Sequence, residues 1–301
     1  MSDYHTAVLL KESVDGLDIK PQGVYVDVTF GAGGHSREIL KRLEEGQLVA
    51  FDQDEDAEDN LPEDERLVFI RQNFKFLKNH LKANGFEKVD GILADLGVSS
   101  HQFDVGERGF STRFDGKLDM RMDQDSSLTA YEIVNEYEPK ELKRIFREGA
   151  DLRNANKLVD KIIQARSEGE IGSTGRLKEI MDGMVPPTKI AQFLARVFQA
   201  IRIEVNGELS VLKDLLLQSE KVLDEGGRLV VISYHSIEDR LVKNFMKTGN
   251  FEGVQDKDFY GNVSRPFRPI NRKVIVPEMK EVEENGRARS AKLRIAERIN
   301  E

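Results

Sequence analysis

The ten residues 27–36, DVTFGAGGHS, hold the densest set of groups able to do chemistry. Gly31, Gly33 and Gly34 strip side chains from a turn between a strand-like and a helical run, so a ligand can approach the backbone and the helix N–H groups. A turn of this kind suits a nucleotide-type ligand. The dinucleotide fingerprint wants a third glycine where Ser36 stands, which weakens a nicotinamide reading, and the absence of G-x-x-x-x-G-K-[ST] removes a phosphate-cradling loop. Asp52 ends the next strand-like run, 21 residues after Gly31. A carboxylate there accepts hydrogen bonds from both hydroxyls of a ribose, or else caps a solvated turn. Asp54, Asp56 and Asp59 are expected to face solvent.

Asp95 closes the fourth strand-like run, close to the point where an open α/β sheet changes winding direction and binds ligands. The alternative is a carboxylate satisfied by local N–H groups of DLGVSS. Phe74 opens a helical run and either stacks on a base or belongs to the core. Between 99 and 122 no period is sustained, and Phe103, Phe110, Arg108, Arg113 and Arg121 are candidates to stack on or clamp a substrate. Ion pairs with Glu107, Asp115 and Asp119 are the competing use of those arginines. His235 follows Tyr234 at a strand end, before Ser236 as expected helix cap, and borders a substrate or orients the turn.

The elements that must position these groups alternate. Strands are expected at 24–30, 47–54, 66–72 and 89–97, with helices from His35 and from Phe74 to Ala83 between them, which implies parallel pairing. From 128 to 180 the apolar spacing turns helical, and Pro186 and Pro187 precede a further helix over 188–203. The helix ELSVLKDLLLQSEKVL, the strand GGRLVVISYH and a helix over 237–247 then resume the alternation. Two β-like runs in the tail, KVIVP and AKLRIAER, are expected to add the last strands.

The chain of 301 residues is 39% hydrophobic and 33% charged, the balance of a cored globular protein. No run approaches the ~20 apolar residues of a membrane span, and the first residues lack the regions of a secretory signal, so a cytoplasmic protein with no membrane partner is expected. Cysteine is absent, which removes disulfides, thiolate metal sites and cysteine nucleophiles. The formal charge is −9, yet 265–301 holds 10 Lys/Arg against 6 Asp/Glu, so positive charge gathers at the tail. FRPINRK and RARSAKLR, with Arg287, Arg289 and Arg294, are the expected phosphate contacts.

Eight ordered blocks, HTAVLLKESV, TFGAGGHS, DLGVSSHQFD, ERGFS, GKLDMRMD, FQAIRIEVNGEL, GGRLVVISYHSIEDRLVKNFM and RARSAKLRIAER, resemble the successive motifs of the bacterial family that methylates N4 of a cytidine, cytosine 1402, in 16S ribosomal RNA. The resemblance runs from His5 to Arg298. It implies an α/β, Rossmann-like class I methyltransferase fold with an inserted α-helical substrate-recognition domain. The expected division is 1–103 and 201–301 for the catalytic fold, 104–200 for the insertion. It implies S-adenosylmethionine as methyl donor, no metal, and 16S RNA of the small ribosomal subunit as partner, with a homodimer left open. The family's donor-binding positions match Gly33, Gly34, His35, Asp52, Phe74, Asp95 and Gln102. One departure is 147–162, where many members carry a Y-G-E-E-like turn.

Cytosine N4 is a poor nucleophile because its lone pair is delocalised into the ring, and Asp95 is the candidate acceptor for its proton. Methylation at C5 proceeds through a cysteine adduct, which this chain cannot form. Two other functions remain: a non-catalytic ribosome assembly factor that binds the same donor, and a DNA amino methyltransferase. The latter is disfavoured because DLGVSS stands where those enzymes carry D/N/S-P-P-Y/F.

Overall fold

The computed structural model describes residues 7–255, 264–271 and 273–300, apart from the side chain of Ser100. His5, Thr6 and Arg272 of the sequence motifs lie outside the described residues. The chain divides into two compact units, Met1–Gly97 with Ser210–Glu301, and Val98–Leu209.

The first unit is built on seven strands: β1 (Val24–Asp27), β2 (Gln47–Asp52), β3 (Leu67–Arg71), β4 (Val89–Asp95), β5 (Leu223–Ser233), β6 (Phe267–Pro269) and β7 (Lys292–Arg298). Their order in the sheet is β3-β2-β1-β4-β5-β7-β6, with the first five parallel and β7 antiparallel to both neighbours. This is a Rossmann-like α/β sheet, as the resemblance implied. Val26, Val49, Ile92 and Leu93 are wholly buried, which explains why these strands read as continuous β-branched and aliphatic runs rather than alternating ones. The winding reverses between β1 and β4, whose register pairs Asp27 with Leu93, so the carboxyl ends of β1, β2 and β4 share one edge at the switch point.

Helix α1 (Leu10–Gly16) precedes the sheet, α2 (Gly34–Arg42) links β1 to β2, and α3 (Leu77–Ala83) follows β3. In α2, Ile39 and Leu40 are buried, while Lys41 and Arg42 in the last turn complement the helix dipole.

The second unit contains α4 (Ser100–Asp104), α5 (Ala130–Glu136), α6 (Pro139–Glu148), α7 (Ala155–Glu168), α8 (Thr174–Ile180) and α9 (Pro187–Asn206). Ile133, Leu142, Phe146, Leu158, Ile162, Val197 and Ile201 recur at helical spacing and form its core. The region 99–122, expected as one long loop, holds α4 and a short 3-10 turn over Gly106–Arg108, because Ser99 and Gln102 close a capping box.

Helix α10 (Glu208–Val222) leads into β5, α11 (Ser236–Thr248) follows it, and α12 (Met279–Glu284) lies in the tail. KVIVP does not form the expected strand; Ile275 makes an isolated bridge to Leu293, and the three-residue β6 fills the outer place. No helix among the described residues is long and apolar enough to cross a membrane.

Candidate active site

Three carboxylates end β1, β2 and β4, and each has a different environment. Asp27 is fully buried and spent on structure: Oδ1 accepts from Thr29 N at 3.1 Å and Oδ2 from Ser36 Oγ at 2.6 Å. Burial pushes its pKa up, and these hydrogen bonds pull against that shift. The result is a tie from the end of β1 to the first turn of α2, which fixes the glycine loop from beneath.

Within that loop Gly31 and Gly33 have φ of 53° and 72°. A Cβ on Gly33 would stand 2.8 Å from the Phe30 ring, and one on Gly34 2.8 Å from Ala7 Cβ, so close packing excludes side chains here. Arg37 N already bonds Gly33 O, while no side chain caps α2. The first-turn N–H groups of a nine-residue helix are therefore presented at the switch point, the arrangement that binds polar ligand atoms.

Asp52 faces this loop. Its Oδ2 accepts from Gly31 N at 2.7 Å and Oδ1 from Asp54 N at 2.9 Å, leaving further lone pairs on both oxygens. Burial raises its pKa to about 6 despite those two donors, with Asp54 and Asp27 adding to the rise. Phe74 stands in a 3-10 turn over Phe74–Phe76 whose preceding Asn73 donates to Gln53 Oε1 at 2.6 Å, and it packs half-buried against the core on one side of the sheet. That core contact is one of the two uses open to it in sequence.

Asp95 is held at the end of β4 by two residues to which sequence reasoning gave no role. Thr29 Oγ1 accepts from Asp95 N at 2.7 Å, and Tyr234 Oη donates to Asp95 Oδ1 at 2.8 Å. Its side chain is 22% exposed, and burial raises its pKa to about 6, with His35 and the Tyr234 hydrogen bond opposing. His35 is buried; Nε2 donates to Val8 O at 3.1 Å, which leaves Nδ1 bare and 3.9 Å from Asp95 Oδ2. Desolvation lowers its pKa, so the imidazole is neutral and anchors the segment before α1 to the glycine loop.

His235, not Ser236, is the cap of α11. Its Nδ1 accepts from Glu238 N at 3.3 Å, and Glu238 Oε2 accepts from Tyr234 N at 3.1 Å. Nε2 lies 3.1 Å from Glu238 Oε1 without hydrogen-bond alignment. The ring thus orients the turn, the plainer of its two expected uses.

In the tail, Arg287 and Arg289 sit on a 3-10 turn over Gly286–Ser290, and Arg289 is exposed. Arg294, expected beside them as a phosphate contact, is instead locked to Asp239 at 2.7 Å.

The remaining candidates belong to the second unit. Gln102 is buried, its Oε1 accepting from Ser99 N at 3.0 Å to cap α4. Arg108 donates to Arg121 O at 3.0 Å and lies 5.9 Å from the centroid of Phe110, which is 4% exposed in the unit's core. Arg121 binds Asp119 through Nε at 2.9 Å and Nη2 at 2.7 Å, and Nη1 reaches Gln124 O and Ser126 O. Arg113 is exposed. Three of the five candidates, Arg108, Phe110 and Arg121, therefore brace the local fold, while Phe103 is half-buried on α4.

This chain matches the model of the MraW methylase family over residues 2–299. It is 55% identical over 300 residues to "Ribosomal RNA small subunit methyltransferase H" of Christiangramia forsetii, covering 99% of each chain. Proteins of the same name from Flavobacterium johnsoniae, 58% identical over 99% of this chain and 98% of theirs, and Flavobacterium psychrophilum, 59% over 96% and 100%, are also similar. The switch-point glycines, the uncapped helix and the carboxylate ending β2 offer the N–H donors and acceptor that a ligand such as S-adenosylmethionine needs, and the match over almost the full length shows that the chain belongs to the MraW methylase family, as an S-adenosylmethionine-dependent methyltransferase.

Proposed function

We propose that this enzyme methylates N4 of a cytidine in 16S RNA of the small ribosomal subunit, cytosine 1402 by family resemblance. Relatives named for small-subunit RNA methylation and matched along nearly their whole length support the substrate class. The observation that carries the chemistry is Asp95: a carboxylate at the switch point with one oxygen held by Tyr234 and part of its surface accessible. When bound, S-adenosylmethionine supplies an electrophilic methyl group on a sulfonium.

The chain's own residues bind and orient. The N–H groups of Gly34 and His35 donate to acceptor atoms of the donor, while Gly33, whose own N–H is held by Phe30 O, shapes the turn that presents them; Asp52 accepts from the ribose hydroxyls, and Phe74 flanks the base. Asp95 accepts a hydrogen bond from the cytosine amine, which frees the N4 lone pair as the bond to carbon forms, and takes the proton that leaves. With pKa near 6, its carboxylate is ionised at neutral pH yet basic enough to accept that proton. The base must leave any stack, a cost of roughly a few kcal/mol in a duplex and less in single-stranded RNA. The absence of cysteine supports an amino group over C5 as target.

Incubation of the protein with labelled donor and small subunits from cells lacking this gene tests the reading. Label is expected in the RNA and is expected to vanish in a folded Asp95→Asn variant. Absence of label with any ribosomal particle would favour a binding factor instead.

A further inference from the structure

We propose that Tyr234 is a positioning residue for methyl transfer: its phenol, anchored at the end of β5, fixes the Asp95 carboxylate through Oδ1 and leaves Oδ2 as the oxygen that meets the substrate amine. The inference rests on the role given to Asp95 above. Four observations support it. The Tyr234 hydroxyl donates to Asp95 Oδ1 at 2.8 Å. The start of the Asp95 side chain is fixed independently, because Asp95 N donates to Thr29 Oγ1. The Tyr234 backbone is fixed by its N–H bond to Glu238 Oε2, and its ring lies against the turn after β4, where a Cβ on Gly97 would come 3.6 Å from Tyr234 Cδ2. Finally, His35 Nδ1 at 3.9 Å is beyond hydrogen-bond distance of Oδ2 and has its tautomer set by Val8, so it offers that oxygen no proton.

The electrostatics agree with the geometry. The groups that act on Asp95 are His35 from α2, Tyr234 after β5, Asp27 from β1 and Glu238 from α11. The two carboxylates oppose its ionisation, and Tyr234 supports it. Burial, with Asp95, Glu238 and Glu281 nearby, holds the phenol well above its usual value of 10, so it remains a donor at any working pH. One oxygen of Asp95 is thereby never free to take the wrong proton, and rotation of the carboxylate is restrained.

The test is the pH profile of single-turnover methyl transfer from labelled S-adenosylmethionine to small subunits. In Tyr234→Phe the acid limb is expected to move up by about one pH unit, giving about fivefold slower transfer than wild type at pH 6 and a smaller loss at pH 8.5. Donor affinity at pH 8.5 is expected to stay within about threefold. Site-specific 3-fluorotyrosine at 234, a stronger donor, is expected to move the limb the other way; it also decides the matter should the Phe variant not fold. A limb that superposes on wild type in the folded Phe variant, while Asp95→Asn is inactive, overturns the assignment of Tyr234 alone. Wild-type turnover in Asp95→Asn overturns the role of Asp95 and this inference with it.

Discussion

Asp52 and Asp95 share a strand-end position and a raised pKa, but they are raised for different uses. Asp52 meets only backbone N–H donors, so its remaining lone pairs await hydroxyls, and this capacity depends on ionisation. Its folded pKa of about 6 means that the carboxylate is lost as pH falls through that value. Donor affinity measured by calorimetry should weaken about tenfold between pH 7.5 and 5, a dependence expected to shrink in Asp52→Asn along with overall affinity. An unchanged ratio in the variant would remove Asp52 from the ribose. For Asp95 the sign of the stability effect follows from the same direction of shift. A pKa raised from 3.8 to about 6 gives stability that is complete below the lower value and lost as pH rises through the upper one. In Asp95→Asn, the amide oxygen still accepts from Tyr234 and no charge is buried. The ligand-free variant should therefore melt a few degrees higher than wild type at pH 8, roughly 1–2 kcal/mol, with the gap closing by pH 5. An equal or lower melting temperature at pH 8 would show that the buried charge is better solvated than the geometry indicates.

At the scale of elements, the loop between β1 and α2 is where backbone conformation and binding meet. Gly33→Ala would force a side chain into the left-handed region at about 1–2 kcal/mol and against Phe30, so a lower melting temperature and weaker donor binding are expected together. A variant that binds as wild type would place the ligand elsewhere. The central parallel strands were legible because both faces are buried, which makes the VYV of β1 and the LVVI of β5 read as apolar runs without alternation. KVIVP has the same composition but packs as irregular chain with one bridge, since strand propensity reports a half-buried surface and not a partner. The glycine loop and Asp52 could be found from spacing; Thr29 and Tyr234 could not, because their value lies in reaching the backbone N–H and the carboxylate of a residue 66 and 139 positions away. Arg108, Phe110 and Arg121 stayed ambiguous in sequence for the converse reason: residue types suited to RNA are equally suited to bracing an irregular segment, and the structure shows them making local contacts.

For the molecule as a whole, the excess of positive charge in the tail is largely spent inside the first unit. Arg294 and Lys292 pair with Asp239, Arg268 pairs with Glu297, and Arg298 bonds backbone oxygens. With a net charge of −9, tight binding of unstructured RNA is not expected, and recognition of a shaped target by a few exposed cations is. Arg289→Ala should reduce the salt slope of RNA binding by about one, whereas Arg294→Ala should leave the slope alone and lower the melting temperature. The reverse pattern would return Arg294 to the RNA and Arg289 to the fold. The proposed reaction delivers a methyl group to an exocyclic amine under control of Asp95. Mass mapping of nucleosides from small-subunit RNA, after incubation with this protein and isotopically labelled donor, decides it: label is expected on N4 of a single cytidine, and label on C5, on a ribose or on another base would rule that reaction out.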